Sequence, residues 1–196
     1  VAERGASEVR RRLLAAATAL FYAEGLRAVG VERIVEHART TKVSFYRHFR
    51  SKDDLVVAYL RILAEAERAG MRMAIDAAGG DPHRALELLA EQLETAACAT
   101  GFRGCAFINA AAEYPDAGSG VRRAVEEHRD RCRRLFEEMI GPLGLADPEG
   151  VAAALMLLRD GVMVSGYLDH RGALAASFLR SSRALTAAGA ASAVGG

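Results

Sequence analysis

Lys42, Val43, Tyr46 and Arg47 fall within six residues, and Thr41 and Lys52 flank them closely. Lys42 and Arg47 supply cations that can meet guanine acceptors or phosphates, and Val43 can pack on a thymine methyl. Tyr46 offers a rigid ring with a hydroxyl suited to a phosphate oxygen. Thr41 stands where a helix would start, and free backbone N–H groups there attract phosphate. Lys52 is placed to clamp the backbone at the start of the next helix. Contacts of the phosphate kind position a protein on a duplex, whereas contacts to base edges read its sequence. A basic face alone also suits a solvated amphipathic helix, so the elements around it decide between the two.

Those elements are helical. Leu13, Leu14, Ala17, Leu20 and Phe21 repeat at helical spacing, and Gly25 can end that helix in a left-handed conformation. Val31, Ile34, Val35 and Ala38 form a second, shorter stripe behind Gly30 as N-cap. A third helix is expected from about Thr41 to His48, capped by Thr40 or Thr41, with Arg39–Thr41 as the turn before it. At 100° per residue, Phe45 and Phe49 fall on one side for burial, and Lys42, Val43, Tyr46 and Arg47 fall on the other. Ser51 is expected to cap a long helix from Lys52 toward Ala78, with Asp53 and Asp54 complementing its dipole. Two short helices joined by a tight turn, the second polar and basic, make a helix-turn-helix.

The charge pattern agrees. Residues 1–52 hold eleven Lys/Arg against five Asp/Glu, and residues 53–196 hold fifteen against twenty, while the whole chain carries only +1. Such asymmetry is the footprint of a nucleic-acid module joined to a neutral or acidic one. Three widely spaced cysteines, Cys98, Cys105 and Cys132, show no CxxC pair and no His/Cys spacing for a metal. Neither a disulfide framework nor a structural zinc is expected, no cofactor motif is present, and the cysteine usage points to the cytoplasm. No apolar run approaches the length expected of a membrane span, and Val1–Arg12 is too charged for a signal peptide.

Beyond the break at Gly79–Pro82, helices are expected at about 82–99, 104–114, 119–141, 148–169 and 173–188. The small-residue tail Ala187–Gly196 is expected to fray. No window supports a sheet. The fold expected is all-α: a helix-turn-helix module over residues 1–52 and a larger helical domain over residues 53–196.

The motif Ala17-x-x-Leu20-Phe21-x-x-x-Gly25, then Val31-x-x-Ile34-Val35-x-x-Ala38, then Phe45-Tyr46-Arg47-His48-Phe49-x-Ser51-Lys52-x-x-Leu55 resembles the N-terminal module of the tetracycline-repressor (TetR/AcrR) family. The resemblance covers about Arg10 to Leu55. It implies DNA contacts at Thr41, Lys42, Val43, Tyr46, His48 and Lys52, to which the helical-face argument adds Arg47. Two departures stand out. The family usually has Gly where this chain has Arg39, which predicts either a non-Gly residue at positive φ or an altered turn. It often has Gly where this chain has Val43.

The resemblance further implies a helical effector-binding and dimerisation domain. It points to a repressor that binds a palindromic operator as a homodimer and is released by a small molecule. Phe102, Phe107, Asn109, Glu113, Tyr114, Met156 and Met163 are the candidate effector contacts. Asn109 and Glu113 sit one turn apart on an otherwise apolar helix and need polar partners, either a neighbouring helix or a ligand. The helices at Val151–Leu168 and Ala173–Ala188 are the candidates for a four-helix dimer interface; alternatively they complete the monomer's core.

Residues 53–196 hold no nucleophile–base or metal motif, so an enzyme is not expected. His128, followed by Arg129 and Asp130, reads as a solvated surface histidine. A second functional reading is a redox-sensing regulator that uses Cys105 or Cys132. Cys132 lies among Arg129, Arg131, Arg133 and Arg134, which could lower its pKa.

Overall fold

The computed structural model describes residues 2–169 and 173–194. Among them are nine α-helices and no strand. The helices are α1 (Ala2–Glu24), α2 (Val31–His37), α3 (Lys42–His48), α4 (Lys52–Ala77), α5 (Pro82–Ala97), α6 (Ala106–Glu113), α7 (Gly120–Ile140), α8 (Pro148–Leu168) and α9 (Leu174–Val194). A single 3-10 turn, Gly141–Leu143, follows α7. The breaks fall where Gly, Pro and capping residues were found. Asp81 accepts from the His83 and Arg84 N–H groups, with Pro82 in the first turn of α5. The expected break at 170–172 lies outside the described residues.

The tail departs from expectation, because α9 continues to Val194. Its end is built largely of Ala, the strongest helix former, and that outweighs the scattered Gly.

The chain divides into two compact units. The first joins Val1–Ala64 with Ala106–Glu126, so residues 53–64 and α6 accompany the N-terminal helices. Its core is the apolar stripes meeting: Leu13, Ala17 and Phe21 of α1, Ile34 of α2, Phe45 of α3, and Leu55 and Tyr59 of α4 are all buried. Phe21 meets Tyr59 edge-on at 5.7 Å. Each such large side chain stabilises the unit by about 1.5–3 kcal/mol relative to exposure.

The second unit holds Glu65–Cys105 and Glu127–Gly196. Within it α5, α8 and α9 pack on one another. Gly166 of α8 lies so close to α5 that a Cβ there would sit 2.6 Å from the Ala97 Cβ. Ala152, Leu155, Val162 and Gly166 of this helix are buried within the chain, while Ala153 is exposed and Ala154, Leu158 and Ser165 are half-buried. The opposite face of α8 leaves Leu157, Gly161, Val164 and Leu168 exposed, a stripe at i, i+4, i+7 and i+11. By length and composition α8 is apolar enough to cross a membrane, with mean hydropathy 1.5. Its middle carries Arg159 and Asp160, which are ion-paired to Glu67 and Arg129 at 2.5 and 2.7 Å.

His128 is not a surface residue; it is 2% exposed. Val121, Val125, His128, Cys132, Leu135 and Met139 recur on one side of α7, and all are buried. The helical phase buries His128 despite its charged neighbours Arg129 and Asp130, which point elsewhere.

Candidate nucleic-acid interface

The helix α3 is seven residues long, and both faces of it are defined. Thr41 caps α3, its hydroxyl accepting from the Ser44 N–H at 3.2 Å. Phe45 and Phe49 turn inward and are buried, their rings 5.8 Å apart. The Arg10 guanidinium lies 5.3 Å over the Phe49 ring from α1. Ser51 caps α4 by accepting from the Asp54 N–H at 3.0 Å.

The outward face is the one expected. Thr41, Lys42 and Arg47 are exposed, as are Val43 (72%) and Tyr46 (55%). A valine and a tyrosine held this open have a surface ready to be covered. Tyr46 is stiffened by an edge-on contact with Phe45 at 5.1 Å. His48 is half-buried. Lys42 is ion-paired with Glu32 of α2, which holds the Glu32 carboxyl below and the Lys42 ammonium above their ordinary pKa values. Lys52 is partly withdrawn: its Nζ donates to the Arg27 carbonyl at 3.3 Å, and burial lowers its pKa. Arg50 was not singled out as a site residue, yet its side chain is 93% exposed between α3 and α4. Its place in the cationic run with Arg47 and Lys52 was the available signal.

The turn before α3 takes the first of the two forms open to it, with Arg39 at φ 49°. The Arg39 carbonyl accepts from Arg12 Nη1 at 3.3 Å, so α1 braces the turn. The loop between α1 and α2 is braced from α6. Both oxygens of Glu113 accept backbone N–H groups there, from Leu26 at 3.0 Å and Arg27 at 2.7 Å. Tyr114 donates to Asp53 at 2.8 Å, and the Arg27 guanidinium sits 5.9 Å over its ring. Burial and the bond to Asp53 both push the Tyr114 phenol pKa up. Glu113 and Tyr114 thus have protein partners within the first unit.

The remaining effector candidates are dispersed. Phe107 is buried and Asn109 exposed, both in the first unit. Half-buried Phe102 and the buried Met156 and Met163 belong to the second. The three cysteines are free, with Cys98 exposed and the other two buried. Cys132 is the reverse of an activated thiol, because burial pushes its pKa up to about 12. Of the arginines expected to activate it, Arg131 pairs with Glu65 and Arg133 with Asp130, and Arg129, paired with Asp160, lowers the thiol pKa by less than burial raises it. That removes the basis for the redox reading of Cys132.

Residues 13–59 match the family model of bacterial regulatory proteins, tetR family. The transcriptional regulator AcuR of Cereibacter sphaeroides is 31% identical over 169 residues, covering 80% of this chain and 75% of that protein. The crystal structure of SCO4454, a TetR-family transcriptional regulator from Streptomyces coelicolor, shares 36% identity with a TM-score of 0.87, over 94% of this chain and 97% of that one. The chain belongs to the TetR family. As a TetR-family protein it is a DNA-binding transcriptional regulator and not an enzyme. A TetR-type regulator from Streptomyces avermitilis, at 25% identity, has a TM-score of 0.78 over 92% of this chain and 97% of that one. The helix-turn-helix read from Phe45–Lys52 is therefore the family's DNA-binding module.

Proposed function

We propose that this TetR-family regulator is a repressor that binds a palindromic operator as a homodimer and leaves it when a small molecule binds the helical domain. The observation that carries the reading is the division of α3, with Phe45 and Phe49 buried and Lys42, Val43, Tyr46 and Arg47 facing out. Tyr46, Arg47 and Thr41 meet phosphates, while Lys42 and Val43 reach base edges. Lys42 exchanges its ion pair with Glu32 for the duplex, and His48 and Lys52 support the backbone contacts. One seven-residue helix reads few bases, so two copies are needed, placed about 34–36 Å apart. The exposed stripe Leu157–Gly161–Val164–Leu168 on α8 supports self-association, since its small and apolar residues allow close helix approach. The chain would then act in the cytoplasm, where the chromosome is.

The effector must bind the released conformation more tightly than the operator-bound one, since equal affinity shifts nothing. Met156 and Met163, with Phe102, supply adaptable apolar surface in the second unit. Phe107 and Asn109 of α6 remain candidate contacts, and Glu113 and Tyr114 would act on an effector only by exchanging their present partners.

Selection of a binding sequence from random duplexes, followed by anisotropy titration, tests the reading. A palindromic site is expected, with affinity falling about 10³-fold or more between about 50 and 200 mM salt. Lys42→Ala and Tyr46→Ala should abolish binding with the helical circular dichroism intact. Unchanged affinity in either variant would remove α3 as the reading element.

A further inference from the structure

The buried face of α7 presents an arrangement that DNA binding does not use. His128 and Cys132 lie one turn apart on it, and Glu67 of α4 reaches the same point. One ligand atom from each of these three lies within 4.8 Å of the other two. His128 Nε2 is 3.3 Å from Glu67 Oε2 and 3.6 Å from Cys132 Sγ. A tetrahedral ion with bonds of about 2.0–2.3 Å holds N and O about 3.4 Å apart, and N and S about 3.6 Å apart. Both measured edges match those of a tetrahedral face.

An ion seated below that face, at the centre of the tetrahedron, contacts all three atoms at once. We propose that Glu67, His128 and Cys132 form a binding site for a borderline-soft divalent transition ion of the Zn(II) type. Thiolate, imidazole and carboxylate together select such an ion over Mg(II) or Ca(II), which prefer oxygen alone. Two anionic ligands neutralise the dication, and the fourth corner is left for water or an exchangeable ligand.

Arg159 supplies the surrounding support. Its Nη2 donates to Glu67 Oε2 at 2.5 Å, orienting the carboxylate. Its positive charge opposes a neighbouring cation, but Asp160 shares it at 3.2 Å. Uptake of the ion forms the metal–sulfur bond and releases the Cys132 thiol proton to solvent. The metal spacing was invisible in the sequence because Glu67 stands far from the His128–Cys132 pair along the chain.

Titration of the reduced full chain with Co(II), read by absorption, tests the site. One ion per chain is expected, with a near-ultraviolet thiolate-to-Co(II) charge-transfer band that Zn(II) abolishes by displacement. Cys132→Ser should lose the band, Glu67→Gln and His128→Asn should each weaken uptake about 10-fold or more, and Cys98→Ser should change nothing. No stoichiometric uptake by the wild-type chain would overturn the proposal, as would a band that survives in Cys132→Ser or disappears in Cys98→Ser. Because the wild-type titration alone can overturn it, the test stands even if a variant misfolds.

Discussion

The carboxylate of Glu113 accepts the backbone N–H of Arg27 at 2.7 Å, while the Arg27 side chain lies over the ring of Tyr114, the next residue after Glu113. The start of the DNA-binding module is thereby held by residues nearly ninety positions later in the chain. Two backbone donors in the loop after α1, the N–H groups of Leu26 and Arg27, find their acceptors there.

Removing that carboxylate should be felt in both stability and DNA binding. Glu113→Ala is expected to lower the unfolding free energy by about 1–3 kcal/mol, because two N–H groups lose a charged acceptor. Glu113→Gln, which keeps one carbonyl acceptor, should lose less. Thermal melts that show no drop for the alanine variant would mean the contact adds nothing.

Gly166→Ala tests the packing of α8 on α5. The new Cβ would stand 2.6 Å from the Ala97 Cβ and 3.2 Å from its carbonyl oxygen, so the helices must separate. A loss of about 1–3 kcal/mol is expected for this overpacking. Gly161→Ala is the control, since a Cβ there meets nothing within 4 Å and the change should be neutral or stabilising. Equal melting temperatures for the two variants would contradict the packing account.

Arg39 occupies the left-handed region at φ 49°, where an L-residue with a Cβ is strained by about 1 kcal/mol. Arg39→Gly should therefore raise stability by up to about 1 kcal/mol, less the added entropy of the unfolded chain. Arg39→Ala keeps the strain and should bring no gain. Denaturant midpoints of the two variants decide this, and a glycine variant no better than alanine would refute it.

Cys132 has a sign that can be checked at alkaline pH. Its thiol is raised from 9.0 to about 12 in the folded protein, so the unfolded chain gives up the proton first. The resulting stability is complete below pH 9 and is lost as pH rises toward 12. In metal-free protein, Cys132→Ser should flatten the alkaline fall in melting temperature. At pH 8, alkylation followed by mass spectrometry should find Cys98 modified well before Cys105 or Cys132. Early labelling of Cys132 would reinstate an activated thiol.

The α8 stripe predicts the oligomeric state. Leu157→Glu combined with Val164→Glu should shift the chain to monomer in sedimentation and weaken operator binding at least about 10-fold, since charges replace exposed apolar side chains that do not support the monomer's core. A dimer that survives both changes would move the interface elsewhere.

Helix periodicity, capping residues and the Phe45–Lys52 motif were enough to foresee an all-α chain and which face of α3 turns outward. These signals are local: side chains three and four residues apart share a helix face whatever the helix later packs against. The partners were not local. Glu113 meets Leu26 and Arg27, Arg159 meets Glu67, and α8 buries Leu155, Val162 and Gly166 while exposing Leu157, Val164 and Leu168. His128 shows the boundary between the two kinds of information, since its neighbours in sequence are charged while its neighbours at helical spacing are core. Local spacing defined the surfaces each helix could offer, but which surface was buried, and which charges met, depended on contacts between residues far apart in the chain.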